Sequence, residues 1–149
     1  MFGRAVLAFL AMPGLIAFVI PVAWLHASGH TQLVQPLGLV LLFAGSAALA
    51  WCIRDFYVRG KGTLAPWEPP ANLVIVGLYR YTRNPMYVAV TLVLLGWAAS
   101  FGLSGLYVYA LVLAVAFHLR VVFGEEPWLA RIHGGQWDEY ARRVPRWFW

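Results

Sequence analysis

The sequence predicts an all-α integral membrane protein, one domain over residues 1–149, with about four transmembrane helices and a C-terminal amphipathic helix at the interface. Three observations predict it. Hydrophobic residues fill 62% of the chain and charged ones 11%, far below the roughly 25% of a soluble domain, so lipid solvates most of it. Four apolar runs, residues 5–25, 33–53, 85–103 and 106–123, approach the ~20 residues that cross a core of about 30 Å. All eleven basic residues, Arg4, Arg54, Arg59, Lys61, Arg80, Arg83, Arg120, Arg131, Arg142, Arg143 and Arg146, fall on one side of those four spans. By the positive-inside tendency that side is the cytoplasm, which holds both termini, loop 54–84 and tail 124–149.

The first run is too long for a signal-peptide core and lacks a polar cleavage region, so it reads as a retained anchor. Pro13 and Pro21 predict kinks in it, tolerated where neighbours satisfy the freed carbonyls. A polar turn over 26–32 leads to the second run, where Gly38, Gly45, Ser46 and Ala48 supply small side chains for close helix approach. The connection that follows is punctuated by Gly60, Gly62, Pro66, Pro69 and Pro70, and its length marks it as functional or disordered rather than a plain connector. Within it, residues 73–76 are too short to span and suit the interface. The last two runs form an antiparallel hairpin around Ser104 and Gly105, with Gly96 and Ser100 expected on its contact face. Pro127 predicts a break in the last helix near residues 124–126. Beyond it, Trp128, Leu129 and Ile132, then Trp137, Tyr140 and Val144, recur at helical spacing, as in one or two amphipathic helices on the cytoplasmic face. Trp147, Phe148 and Trp149 suit the interfacial aromatic belt.

Polar chemistry and membrane entry meet at G-L-Y-R-Y-T-R-N-P-M-Y, residues 77–87. Asn84 before Pro85 reads as a helix N-cap followed by the first helical residue. The positive end of that helix, with Arg80 and Arg83 nearby, suits a carboxylate or phosphate, so a charged cofactor is expected at this mouth. A second cluster spans 118–126, on the same side of the membrane. His118 and Glu125, seven apart, share a face if the helix continues, and an ionisable residue at that depth is a functional candidate. The plain alternative has His118 at a packing contact and Glu125 paired with Arg83 or Arg80. Arg120 lies about 200° around the helix from His118, where it would snorkel to the headgroups unless the helix distorts. Arg142, Arg143 and Arg146 read as attraction to anionic lipid. Tyr79, Tyr81 and Tyr87 read as belt aromatics or as the wall of a pocket.

Several classes are excluded. The net charge of +5 flanks apolar runs instead of forming a basic-aromatic face, which argues against nucleic acid. Cys52 is the only cysteine, so there is no internal disulfide and no thiolate metal cluster. No Gly-rich dinucleotide loop, HExxH or supported Ser-His-Asp set occurs.

At the two clusters the chain resembles the membrane methyltransferases that include isoprenylcysteine carboxyl methyltransferases and phospholipid N-methyltransferases. The likeness rests on N-L-V at residues 72–74, the 77–87 motif, the Glu125-Glu126 pair and the tail Tyr140-x-x-x-Val144-Pro145-Arg146. It implies S-adenosyl-L-methionine held at the cytoplasmic end of the last spans, contacted by Leu73, Val74, Tyr79, Asn84, Pro85, Tyr87 and Glu125 and supported by Glu126. The carboxyl methyltransferases carry His where this chain has Asn84, and Gly where it has Ala89; Asn cannot become a cation near neutral pH. Arg120 is the nearest counterpart of their substrate-contacting arginine. Methyl transfer needs alignment and exclusion of water more than a protein nucleophile. His118 or Glu125 would take a proton from an amine acceptor, whereas a carboxylate or thiolate needs no base. The expected function is methyl transfer to a lipophilic or amphipathic acceptor, an isoprenoid-type carboxylate or small thiol, in a multi-pass protein of a prokaryotic inner membrane. A phospholipid amine acceptor, or a non-catalytic scaffold binding lipid or partner, is the alternative.

Overall fold

The computed structural model describes residues 10–61 and 71–148. Residues 5–9 of the first run, Arg4, Gly62, Pro66, Pro69, Pro70 and Trp149 lie outside the described residues. The described chain is helical, with no strand. A π-helical stretch Leu10–Val19 runs into α1 (Ile20–Ala27); then come α2 (Leu37–Gly60), a 3-10 turn Gly77–Arg80, α3 (Pro85–Phe101), α4 (Ser104–Arg120), a π turn Val121–Glu125, α5 (Glu126–His133) and α6 (Gly135–Arg143). Two helices, Leu37–Gly60 and the continuous Ser104–His133, are long and apolar enough to cross a membrane; Met12–Ala27 and Pro85–Phe101 are shorter apolar helices.

In the first helix Pro21 has no N–H for the carbonyl one turn back. Trp97 Nε1–H supplies that bond instead, donating to Ala17 O at 3.0 Å, and the Tyr109 hydroxyl donates to Ile16 O at 3.3 Å. Neighbouring helices thus satisfy what the proline leaves open, and the helix carries on in π geometry through Pro13.

The second helix differs from the 33–53 expectation at both ends. Pro36 disfavours helix in the residue before it, so α2 starts at Leu37. The freed Val34 and Gln35 N–H groups donate to Ser100 O at the end of α3, at 2.7 and 3.2 Å. No Gly or Pro interrupts residues 54–59, so the helix continues past residue 53, into the expected loop, to Gly60, and stops at left-handed Lys61.

Helices α2 and α3 form the tightest pair, and glycine is why. A Cβ on Gly96 would lie 2.5 Å from Leu42 N, one on Gly38 2.5 Å from Ser100 N, and one on Gly45 2.8 Å from Val93 N. Gly96 and Ser100 therefore face α2, correcting the expectation that they line the α3–α4 hairpin. That hairpin turns at Gly102 (φ +68°) and Leu103, while Ser104 and Gly105 already belong to α4, where Gly105 leaves room for the Trp24 ring. Leu42, Leu49, Ala89, Val90, Val93 and Leu94 fill the core between these helices. Gly96→Leu is expected to cost about 2 kcal/mol or more, because backbone, not a movable side chain, occupies the space. Thermal unfolding in detergent checks this, with Gly124→Ala, where an added Cβ meets nothing within 4 Å, as the control.

Outward faces are apolar: Leu37, Phe43, Val108, Leu111 and Phe123 are all more than 60% exposed. Apolar surface of that extent needs lipid or a partner to cover it. The tail differs from expectation. Trp137, Tyr140 and Val144 are buried against Leu73, Leu129 and Ala130, so the apolar face of α6 packs on the protein rather than on lipid.

Candidate functional site

A cleft of about 1060 Å³ opens where the 3-10 turn, the start of α3, the α4–α5 junction and α6 meet. Its depth comes from apolar walls, Met12 and Ile16 on the first helix, Val90 on α3 and Phe117 on α4, with exposed Phe123 at its rim; its mouth carries the charges.

The junction is the unexpected part. Pro127 was expected to break the helix, since its ring clashes with a carbonyl one α-turn back. Instead the backbone widens by one residue: Glu126 N–H donates to Val121 O, five residues earlier, and the helix continues. Widening changes the register of everything beyond it. Residues five apart now stack, so Arg120 Nε donates to Glu125 Oε1 at 2.7 Å. The Tyr87 hydroxyl donates to the same oxygen, and the Tyr87 ring stacks on Phe117 at 4.5 Å between centroids. Among the described residues no protein group bonds Glu125 Oε2. His118, expected beside Glu125, is not brought there: it is exposed, outside the cleft, and its Nδ1 accepts from Trp147 Nε1–H at 3.2 Å. The seven-residue spacing aligned them only for an unbroken α-helix.

Glu126 is held separately. Arg83 Nη1 lies 3.2 Å from its Oε1, and Arg146 reaches both oxygens, Nε at 3.1 Å and Nη2 at 2.7 Å. Those bonds hold the Arg146 guanidinium above its usual pKa. Arg146 therefore points inward, not to lipid as the sequence suggested. Arg83 also lies over the Trp137 ring, 5.6 Å from its centroid, and its buried Nε has no partner among the described residues.

Of the residues implied by resemblance, Leu73, Val74, Tyr79, Asn84, Tyr87, Glu125 and Glu126 line the cleft, as does Arg120. Pro85 is buried in the first turn of α3 but is not part of the wall. Asn84 does not cap α3 with its side chain. Its Nδ2 donates to Arg146 O at 3.0 Å, and its N–H donates to Thr82 Oγ1 at 3.3 Å. Tyr79 is held by the Tyr140 hydroxyl, which donates to its carbonyl at 2.8 Å, and burial lifts the Tyr79 phenol well above its usual pKa, so it stays neutral. Arg80 and Tyr81 are exposed. Trp137 and Tyr140 of α6 were missed as wall residues, because their helical spacing says only that one face is apolar, not what it meets.

Arrangement and chemistry suit an amphiphilic ligand with both a cationic or hydroxylic group, for Glu125, and an anionic one, for Arg83. No curated protein and no solved structure matches the chain. The sequence model of the family described as phospholipid methyltransferase does, over residues 34–136. That stretch is more than two thirds of the chain and holds the π turn, both glutamates and the 77–87 motif, so the protein is a member of the phospholipid methyltransferase family.

Proposed function

We propose that this protein transfers the methyl group of S-adenosylmethionine to a lipophilic or amphipathic acid, a carboxylate or thiolate, at the cytoplasmic face of the membrane. The carrying observation is Glu125, fixed by Tyr87 and Arg120 with one oxygen left for a ligand, at the border between the charged mouth and the apolar depth of one cleft.

The residues present fit that cofactor. Glu125 Oε2 is placed to accept from an ammonium or ribose hydroxyl, Arg83 supplies a cation for a carboxylate, and Tyr79 and Trp137 offer aromatic surface to a base. When bound, the cofactor supplies an electrophilic methyl on a sulfonium. The protein's own part is to orient and to exclude water: Leu73, Val74 and Phe117 make a wall with nothing to offer water, and the neutral Tyr79 adds no competing nucleophile. Arg120, half exposed in the cleft wall and paired with Glu125, provides the guanidinium that draws an anionic acceptor. An acidic acceptor needs no base, whereas an amine is left with Glu125 alone, already engaged by Tyr87 and Arg120 and assigned here to the cofactor, because His118 stands outside the cleft. The two shorter apolar helices complete the four-span reading.

The test is titration of the detergent-solubilised protein with S-adenosylhomocysteine, followed by radiolabelled methyl transfer into a total membrane lipid extract. Saturable binding, with base-labile label for an ester, is the expected result. No saturable binding ends the reading, and label in phospholipid amines replaces the acceptor.

A further inference from the structure

We propose that residues 144–147 form a clasp holding the two halves of the cleft in register, with Arg146 as its positioning residue; the ligand in the test rests on the function proposed above. The mouth is built from two pieces joined covalently only through the far end of the α3–α4 hairpin: the turn at residues 82–84 and the helix carrying Glu125 and Glu126. Their direct links are Arg83 to Glu126 and, on the first turn of α3, Tyr87 to Glu125. Arg146 touches both pieces at once. Its carbonyl accepts from Thr82 Oγ1 at 2.9 Å and Asn84 Nδ2 at 3.0 Å, while its guanidinium grips both oxygens of Glu126. Its neighbours repeat the pattern. Pro145 O accepts from Arg83 N–H at 2.9 Å, and Trp147 ties to His118 on α4.

Several features suit a clasp. Pro145 forces extended backbone on Val144 (ψ 124°), ending α6 and sending the chain straight across the turn. A two-pronged grip on a carboxylate needs the planar guanidinium, which lysine cannot reproduce. Arg146 itself is not in the cleft wall, so it acts through Glu126 and Asn84, both of which are. The segment lies beyond residues 34–136, so nothing in the family match assigns it this role.

Hydrogen exchange and S-adenosylhomocysteine titration of the full chain in detergent test this, on wild type, Arg146→Ala and Arg146→Lys. Arg146→Ala is expected to speed exchange of the Arg83 amide at least tenfold and to weaken binding by about tenfold, the scale of one charge-assisted hydrogen bond. Arg146→Lys, which keeps a positive charge for Glu126 where alanine keeps only the backbone carbonyl, is expected to restore part of both. Unchanged Arg83 exchange in Arg146→Ala overturns the clasp, and unchanged affinity overturns the positioning role. If Arg146→Ala does not fold, Thr82→Val, which removes one donor and leaves Glu126 paired, is read the same way with smaller effects. Wild type that binds no S-adenosylhomocysteine defeats the cofactor reading alone, and the exchange arm still decides the clasp.

Discussion

Glu126→Ala is expected to destabilise the protein by about 3 kcal/mol, more than any other single truncation at the mouth, because it leaves a buried cation without its counter-charge. Glu126 and Arg83 side chains are only 12% and 13% exposed. With the carboxylate gone, Arg83 keeps the Trp137 face, worth about 1 kcal/mol, and an Nε that already lacks a partner. Arg146, 35% exposed, can turn to water and adds less. Glu126→Gln keeps the shape and one acceptor, so it should fall between alanine and wild type. Thermal unfolding in detergent checks the order; an alanine variant melting with wild type would mean that water already reaches Arg83.

Much of this was legible in the sequence where a single physical rule decided the outcome. Uncharged runs of membrane length became the apolar helices, and freed carbonyls at Pro21 found partners on neighbouring helices. The polar clusters at residues 72–87 and 118–126 meet at one cleft through Asn72, Tyr79, Arg83, Asn84 and Tyr87 from the first and Arg120, Glu125 and Glu126 from the second, without His118. Legibility failed where two rules competed. Pro127 forbids an α-helical bond but not a π turn, and only the wider turn pairs Arg120 with Glu125 and leaves His118 aside. Small residues on α3 announce close packing without naming the partner, which is α2 and not α4. Arg146 sits among basic residues near an apolar end and so reads as lipid-seeking; its grip on Glu126 is a contact 20 residues away that no local pattern encodes. Asn84 likewise has a cap's position and a different occupation.

Glu125→Ala is expected to separate function from stability. The substitution releases Arg120, whose side chain is 51% exposed and can be solvated, so the structural cost is at most about 1 kcal/mol. The loss to a ligand is larger: a carboxylate prepared by Tyr87 and Arg120 contributes about 1.5 to 3 kcal/mol through a charge-assisted bond, so S-adenosylhomocysteine binding should weaken about 10- to 100-fold. Glu125→Gln distinguishes the group that is bound. Its amide oxygen can still take the bonds from Tyr87 and Arg120, but that leaves the NH2 toward the cleft, where it repels an ammonium and loses a hydroxyl donor. Binding as weak as in Glu125→Ala therefore points to an ammonium, and a smaller loss to a ribose hydroxyl, which can itself accept from that NH2. Titration calorimetry beside a melting curve reads both quantities. A Glu125→Ala variant that binds like wild type removes the carboxylate from the site and, with it, the argument that the π turn exists to present it.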